Sequence, residues 1–186
     1  MSPIKKTFKH PKADQERRST FCQKTKEFKD GGHSLVFIDE SGFSHSMPRT
    51  HGYSDKGQRC YGSHDWGAKG RTNVIGALIN KDLVVANLFQ TNINRTIFQD
   101  WMTENLIPKL PKKSVLIMDN AAFHKGDHIK KPIEEAGHIL LYLPPYSPDL
   151  NPIEHKWAEK KAERRKTQVN IEELFKNENC NQFIGV

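Results

Sequence analysis

The sequence predicts an α/β fold, a mixed five-stranded sheet flanked by helices in the order βββαβαβα, and three observations carry that expectation. Short apolar runs, "SLVFID", "SVLIMD" and "HILLYL", have the length and composition of buried strands. Two further runs, "TNVIGALI" (72–79) and "LVVANLF" (83–89), are separated by Asn80, Lys81 and Asp82, which reads as a hairpin. Beyond them the apolar spacing shifts to three and four: Ile97, Phe98, Trp101, Met102, Leu106 and Leu110 form a core-facing helical stripe. Strands that interleave with helices after a hairpin imply antiparallel pairing in the first half and parallel pairing through helical crossovers in the second.

Taken in order, residues 1–32 are basic and polar, helical from about Asp14 to Phe28, and end in the stop signal "DGG". Ser34 to Ile38 form a central strand that ends in Asp39. The segment 43–70 is rich in Gly, His, Arg and Tyr, with a weak strand at Arg59 to Gly62. The helix over 94–110 exits at Pro108 and Pro111. A buried strand at 114–118 ends in Asp119, a helix from Lys125 to Ala136 is closed by Gly137, and 138–143 is another buried strand. The stretch "LPPYSPDLNPIEHKW" (143–157) then places four prolines where the chain can neither continue the strand nor enter a helix interior. Asn151 reads as a helix N-cap with Pro152 at the first helical position, which puts Glu154 in the first turn. That helix reaches Lys166, and a shorter one covers 170–177. The main folded unit is expected at 33–168, between the basic segment 1–32 and a C-terminal helix and tail at 169–186.

Length and composition narrow the class. A chain of 186 residues suits one domain with a sizeable core. No apolar stretch approaches the roughly 20 residues that span a bilayer, and the N-terminus has no hydrophobic signal region, so a soluble cytoplasmic protein with no membrane partner is expected. Cys22, Cys60 and Cys180 are odd in number and contain no CxxC pair, which argues against a disulfide framework or a cysteine zinc site. The net charge is +7, and residues 1–30 alone hold nine Lys/Arg against four acids. A second basic cluster, "KKAERRK", covers 160–166. Such patches suit a polyanion, because Lys and Arg neutralise phosphates and release condensed counterions, although an ordinary solvated surface accounts for them equally well.

Three acids share one kind of position. Asp39 and Asp119 end strands, and Glu154 opens the helix after the last strand. In an α/β sheet, functional groups gather at the carboxyl ends of central parallel strands, and the stiff connector would deliver Glu154 to the same edge. Three carboxylates pressed together repel and raise one another's pKa unless a hard divalent cation such as Mg²⁺ takes them as oxygen ligands. Two such ions roughly 3.5–4 Å apart stabilise the attacking and leaving oxygens of an in-line phosphodiester displacement. Each acid also has a plainer reading: Asp39 and Asp119 as turn residues, Glu154 in a capping box with Asn151. Glu40 rivals Asp39, because neighbouring strand residues face opposite ways and the residues alone do not choose between them. His124 and His128 are four apart but lack a third zinc ligand. Trp101 and Trp157 read as core, Tyr146 and Asn151 as residues that shape the connector.

At "FIDESGF", "LIMDNAAFH" and "LPPYSPDLNPIEHKW" the sequence resembles the DDE transposases of bacterial insertion sequences, in the mariner-like superfamily, over roughly residues 33–166. The 34 residues between Asp119 and Glu154 match the spacing of the subgroup with a glutamate third acid. The resemblance implies a ribonuclease H-like, or retroviral integrase-like, fold. It selects Asp39 over Glu40 and makes Asp39, Asp119 and Glu154 the catalytic, metal-binding triad, with two Mg²⁺ ions per site and Mn²⁺ able to substitute. It implies cleavage of double-stranded DNA at transposon ends and strand transfer into target DNA, by a homodimer assembled on DNA. Asn120 and His124 match the family motif and would touch phosphate or a metal-bound water, or order their loop. Arg49, Lys69, Arg71, Lys160, Lys161, Arg164 and Arg165 are candidate DNA contacts. Such transposases usually carry helix-turn-helix modules before the first strand, so a separately encoded or frameshift-fused part is expected to supply them. A ribonuclease H-like nuclease without joining activity and a non-catalytic DNA-binding remnant are the rival readings.

Overall fold

The computed structural model describes residues 11–48, 51–62 and 69–176. Five strands, β1 (Ser34–Ser44), β2 (Arg71–Ile79), β3 (Asp82–Phe89), β4 (Ser114–Met118) and β5 (Ile139–Tyr142), form one sheet in the order β3-β2-β1-β4-β5. β1 pairs antiparallel with β2, and β2 with β3; β1 pairs parallel with β4, and β4 with β5. The hairpin turn is Asn80-Lys81, with Asn80 at φ 57°, a left-handed conformation that Asn tolerates.

Strand period two sorts the core into two layers. Val36 and Ile38 of β1 and Leu116 and Met118 of β4 face one side. There they meet Phe98 of α2 (Arg95–Asp100), Trp101, Met102 and Leu106 of the π-helical turn that continues it (Trp101–Leu106), and Ile129 and Ile133 of α3 (Asp127–Glu135). Leu35, Phe37, Val115 and Ile117 face the other side, against Phe21 of α1 (Gln15–Asp30). Farther along that side, Phe43 and Val74 pack on Ile153 and Trp157 of α4 (Ile153–Thr167) and on Ile171, Leu174 and Phe175 of α5 (Ile171–Phe175). Burying each such large apolar side chain contributes about 1.5–3 kcal/mol. Trp101, as expected, is core, and its indole N–H donates to Asn87 Oδ1 at 2.9 Å.

α1 begins where the sequence indicates. Asp14 caps it by accepting from the N–H groups of Glu16 and Arg17, and Gly32, at φ 79°, turns the chain into β1. The helix is tied to the proline connector by Arg18, whose guanidinium donates two bonds to Asp149, at 2.9 and 2.6 Å.

Three expectations need correction. No strand forms at Arg59–Gly62, which is exposed and irregular. β5 is only half-buried, because as an edge strand it is covered less than β4, which is buried throughout. β1 does not end at Asp39: β2 keeps pairing with it to Ser44↔Arg71, whereas β4 leaves after Phe37↔Ile117. Asp39 therefore lies just past the point where the parallel neighbour departs, on a strand that continues. Among the described residues, no helix is long and apolar enough to cross a membrane.

Candidate active site

The splaying of β1 from β4 opens a cleft of about 380 Å³ whose walls include Asp39, Asp119, Asn151, Glu154 and the connector from Leu143 to Pro148. Strand parity decides which β1 acid enters it. Asp39 is in phase with Leu35 and Phe37 and faces α4, whereas Glu40 is in phase with Val36 and Ile38 and faces α3.

Trp157 Nε1–H donates to Asp39 Oδ2 at 3.1 Å. The indole reaches that carboxylate by lying over β2 at Gly76, the residue paired with Asp39. A Cβ at Gly76 would stand 2.5 Å from Trp157 Cη2. Burial, together with the charges of Glu154 and Glu40, pushes the Asp39 carboxyl up to about 7, with the Glu40 backbone N–H and Trp157 offsetting part of the rise.

Asp119 is held differently. Its Oδ1 accepts from His124 Nδ1 at 2.7 Å and from the Ala121 N–H at 2.8 Å, so both bonds fall on one oxygen of a half-exposed carboxylate. The His124 bond, first, and the Ala121 N–H keep this carboxyl below its ordinary range against the opposing effect of burial. His124 itself is fully buried against Phe98 and Phe123, and its Nε2 meets Glu40 Oε1 at 2.9 Å. Burial disfavours its charge, but hydrogen bonds to two carboxylates outweigh that and push it up to about 9. With both ring nitrogens facing carboxylate oxygens, the imidazolium donates twice. Glu40, the rival acid, thus reaches the site indirectly, as the anchor of the histidine that orients Asp119.

Glu154 lies exposed in the first turn of α4. The capping box is absent: Pro152 occupies the cap position with no side-chain cap, and the Asn151 N–H donates to Pro148 C=O at 2.9 Å. Asn151 is 3% exposed, and its Oδ1 is buried without a hydrogen-bond partner. Asn120 ties the loop after β4 to the start of the proline connector by donating from Nδ2 to Leu143 C=O. His128 bonds the Phe123 C=O and forms no zinc pair with His124.

The basic candidates divide. Arg49 lies outside the described residues. Lys69 and Arg71 are exposed, with the Arg71 side chain packed over Gly42, and Arg165 is half-exposed. Arg164 is not available to a polyanion. It is 7% exposed and donates to the carbonyls of Ser44, His45 and Val169. Lys160 bonds Leu174 C=O and Glu163 and lies over the Phe175 ring, and the Lys161 ammonium lies 5.5 Å from the Phe43 ring centroid. In the cluster "KKAERRK", three cations thus serve packing. From the sequence, Gly76 carried no site role, Trp157 read only as core and Glu40 only as the rival to Asp39. An isolated glycine inside a strand was the one available signal, since it marks a close approach.

The donor set fits a hard divalent cation. All three acids offer oxygen, Asp39 has its pKa raised by burial and then by the charges of Glu154 and Glu40, and Asn151 Oδ1 is an additional oxygen without a partner. Among the described residues, no three His, Cys, Asp or Glu side chains are gathered closely enough to hold a metal ion by themselves.

The five-stranded mixed sheet presents carboxylates where its two central strands diverge. Residues 34–174 match the DDE superfamily endonuclease family, and the chain belongs to it. The fold is similar to that of Mos1 transposase in several assemblies. In the Mos1 strand transfer complex the TM-score is 0.70 at 21% identity, covering 95% of this chain and 57% of that one. In the mariner Mos1 paired-end complex with Mg the values are 0.71, 19%, 95% and 57%, and in the paired-end complex with Mn they are 0.61, 21%, 86% and 53%. The chain thus spans just over half the length of these transposases. No curated protein sequence matches it.

Proposed function

We propose that this chain is the catalytic part of a transposase, which cuts DNA at transposon ends and joins it to target DNA. The observation that carries the reading is the convergence of Asp39, Asp119 and Glu154 on one cleft in a chain of the DDE endonuclease family. The likeness to Mos1 transposase in end-bound and strand-transfer assemblies supports the DNA substrate. The catalytic unit is 33–168, with α1 packed on the same sheet.

Asp39, Asp119 and Glu154 would hold two Mg²⁺ ions, or Mn²⁺ in their place. When bound, the ions would lower the pKa of an attacking hydroxyl and stabilise the leaving oxygen of the phosphodiester. The chain's own residues prepare that site. Trp157 orients Asp39 through one carboxylate oxygen, while the Glu40–His124 pair occupies Asp119 Oδ1 and leaves Oδ2 for the cleft. The proline connector, tied to α1 through Arg18 and Asp149, holds Glu154 at a fixed helix start. Lys69, Arg71 and Arg165 are the phosphate contacts among the described candidates. Joining two ends calls for a homodimer on DNA, and recognition of terminal repeats calls for a helix-turn-helix part outside 34–174.

The test is Mg²⁺- or Mn²⁺-dependent nicking of supercoiled plasmid, run beside Asp119→Asn. The parent is expected to nick and the variant to lose at least about a hundredfold while retaining salt-sensitive DNA binding. An Asn variant that cuts like the parent would refute the triad.

A further inference from the structure

We propose that Asn151 is a positioning residue of the metal site, its side-chain oxygen accepting a hydrogen bond from a water of the bound cation's hydration shell. This rests on the metal-dependent reading above and deepens it. Three observations point the same way. Asn151 lines the cleft that Asp39, Asp119 and Glu154 line. It is 3% exposed, and its Oδ1 is the buried side-chain polar atom left without a partner among the described residues. Leaving a buried acceptor unsatisfied is costly, and native proteins satisfy such groups with protein, water or an ion.

The connector explains why the atom stays unpaired in the chain alone. The usual task of an Asn before Pro at a helix start is to cap the helix, and here it does not. The Asn151 backbone is committed in both directions, its N–H to Pro148 C=O and its C=O to the Glu154 N–H at 3.2 Å, while the side chain caps nothing. Pro152 fixes the backbone between Asn151 and Glu154, so these two cleft-lining residues are held by one rigid turn. An amide oxygen adds no negative charge to a cleft lined by three carboxylates, yet it can accept from a water. Mg²⁺ and Mn²⁺ bound through a few carboxylates keep several such waters, and those waters donate. Residues that hydrogen-bond the surroundings of a metal commonly change affinity about 10–100-fold when removed.

The experiment is a titration of the purified chain with Mn²⁺, followed by thermal shift and by tryptophan fluorescence, for the parent, Asn151→Leu, Asn151→Asp and the triad control Glu154→Gln. Asn151→Leu removes the unsatisfied oxygen at similar volume. It is expected to match or exceed the parent's metal-free Tm while binding Mn²⁺ roughly tenfold more weakly. Asn151→Asp keeps the acceptor and adds charge, and is expected to bind at least as tightly as the parent at pH 8, which keeps the proposal testable should the Leu variant fold poorly. An Asn151→Leu protein that binds Mn²⁺ like the parent, or an Asp variant that folds but loses binding, overturns the role of Asn151. Those results leave the metal site standing as long as Glu154→Gln still loses Mn²⁺. If the parent shows no Mn²⁺ response, the metal reading falls and this inference falls with it.

Discussion

Arg164 sits in the most basic stretch of the chain, yet it faces inward, and replacing it separates packing from DNA binding. Arg164→Met keeps most of the apolar stem and removes the guanidinium, leaving the carbonyls of Ser44, His45 and Val169 without their donor. Those carbonyls lie at the end of β1, in the strand's exit and in the α4–α5 turn, so one side chain joins three segments. A hydrogen bond from a charged donor contributes on the order of 1.5–3 kcal/mol, but water can reach part of what is exposed, so the expected net loss is roughly 2–4 kcal/mol. For a chain of this size each kcal/mol moves Tm by about 2–4 °C, which predicts a fall of roughly 5–15 °C in a metal-free melt. DNA affinity measured against salt should keep the parent's slope, since a buried guanidinium neutralises no phosphate, whereas Arg71→Ala should make the slope shallower by about one unit. A fall in Tm below about 2 °C with a slope shallower by one unit would refute this assignment and return Arg164 to the DNA surface.

Gly76→Ala places a methyl 2.5 Å from Trp157 Cη2; displacing that indole should cost about 1–3 kcal/mol in chemical denaturation and shift the Trp emission. In EDTA, stability should decline as pH rises from about 5 to 9. Asp39, raised from 3.8 to about 7, contributes stability below its unfolded value that is lost as pH passes 7. His124, raised from 6.5 to about 9, contributes stability that is lost as pH passes 9. A Tm that stays flat or rises across that range would contradict both, and Asp39→Asn should remove the lower part of the decline. Mg²⁺ should raise Tm more at pH 8 than at pH 5, because only the ionised carboxylates bind it. Glu40→Gln, by removing one of the two carboxylate charges beside His124, should lower the pH at which His124 loses its proton, as read by NMR of the imidazole ring.

The sheet was legible from sequence because its elements announce themselves locally. The continuous apolar runs of β1 and β4, the Asn80-Lys81 turn and the three-four stripe through Phe98 and Trp101 each lie within one window of chain. The weak strand at 59–62 failed because one short run with no partner has no ladder to join. The capping box failed because Pro152 took the cap position. The full length of β1 was hidden because its last residues are held by β2 and not by their own composition.

Sequence by itself determined the order of elements, the stiffness of the connector, and the placing of Asp119 just after a strand and Glu154 at a helix start, since these depend on periodicity, φ restriction and spacing along the chain. Only the tertiary structure decided that Asp39 and not Glu40 enters the cleft, that His124 joins Glu40 to Asp119, that Trp157 holds Asp39, and that Arg164 serves the interior. Those assignments depend on contacts between residues 84, 118 and 120 positions apart, and on which face of a strand each residue occupies once its neighbours are in register. Local periodicity reaches only a few residues, whereas the charge state and orientation of a buried side chain are set by whatever the fold packs against it.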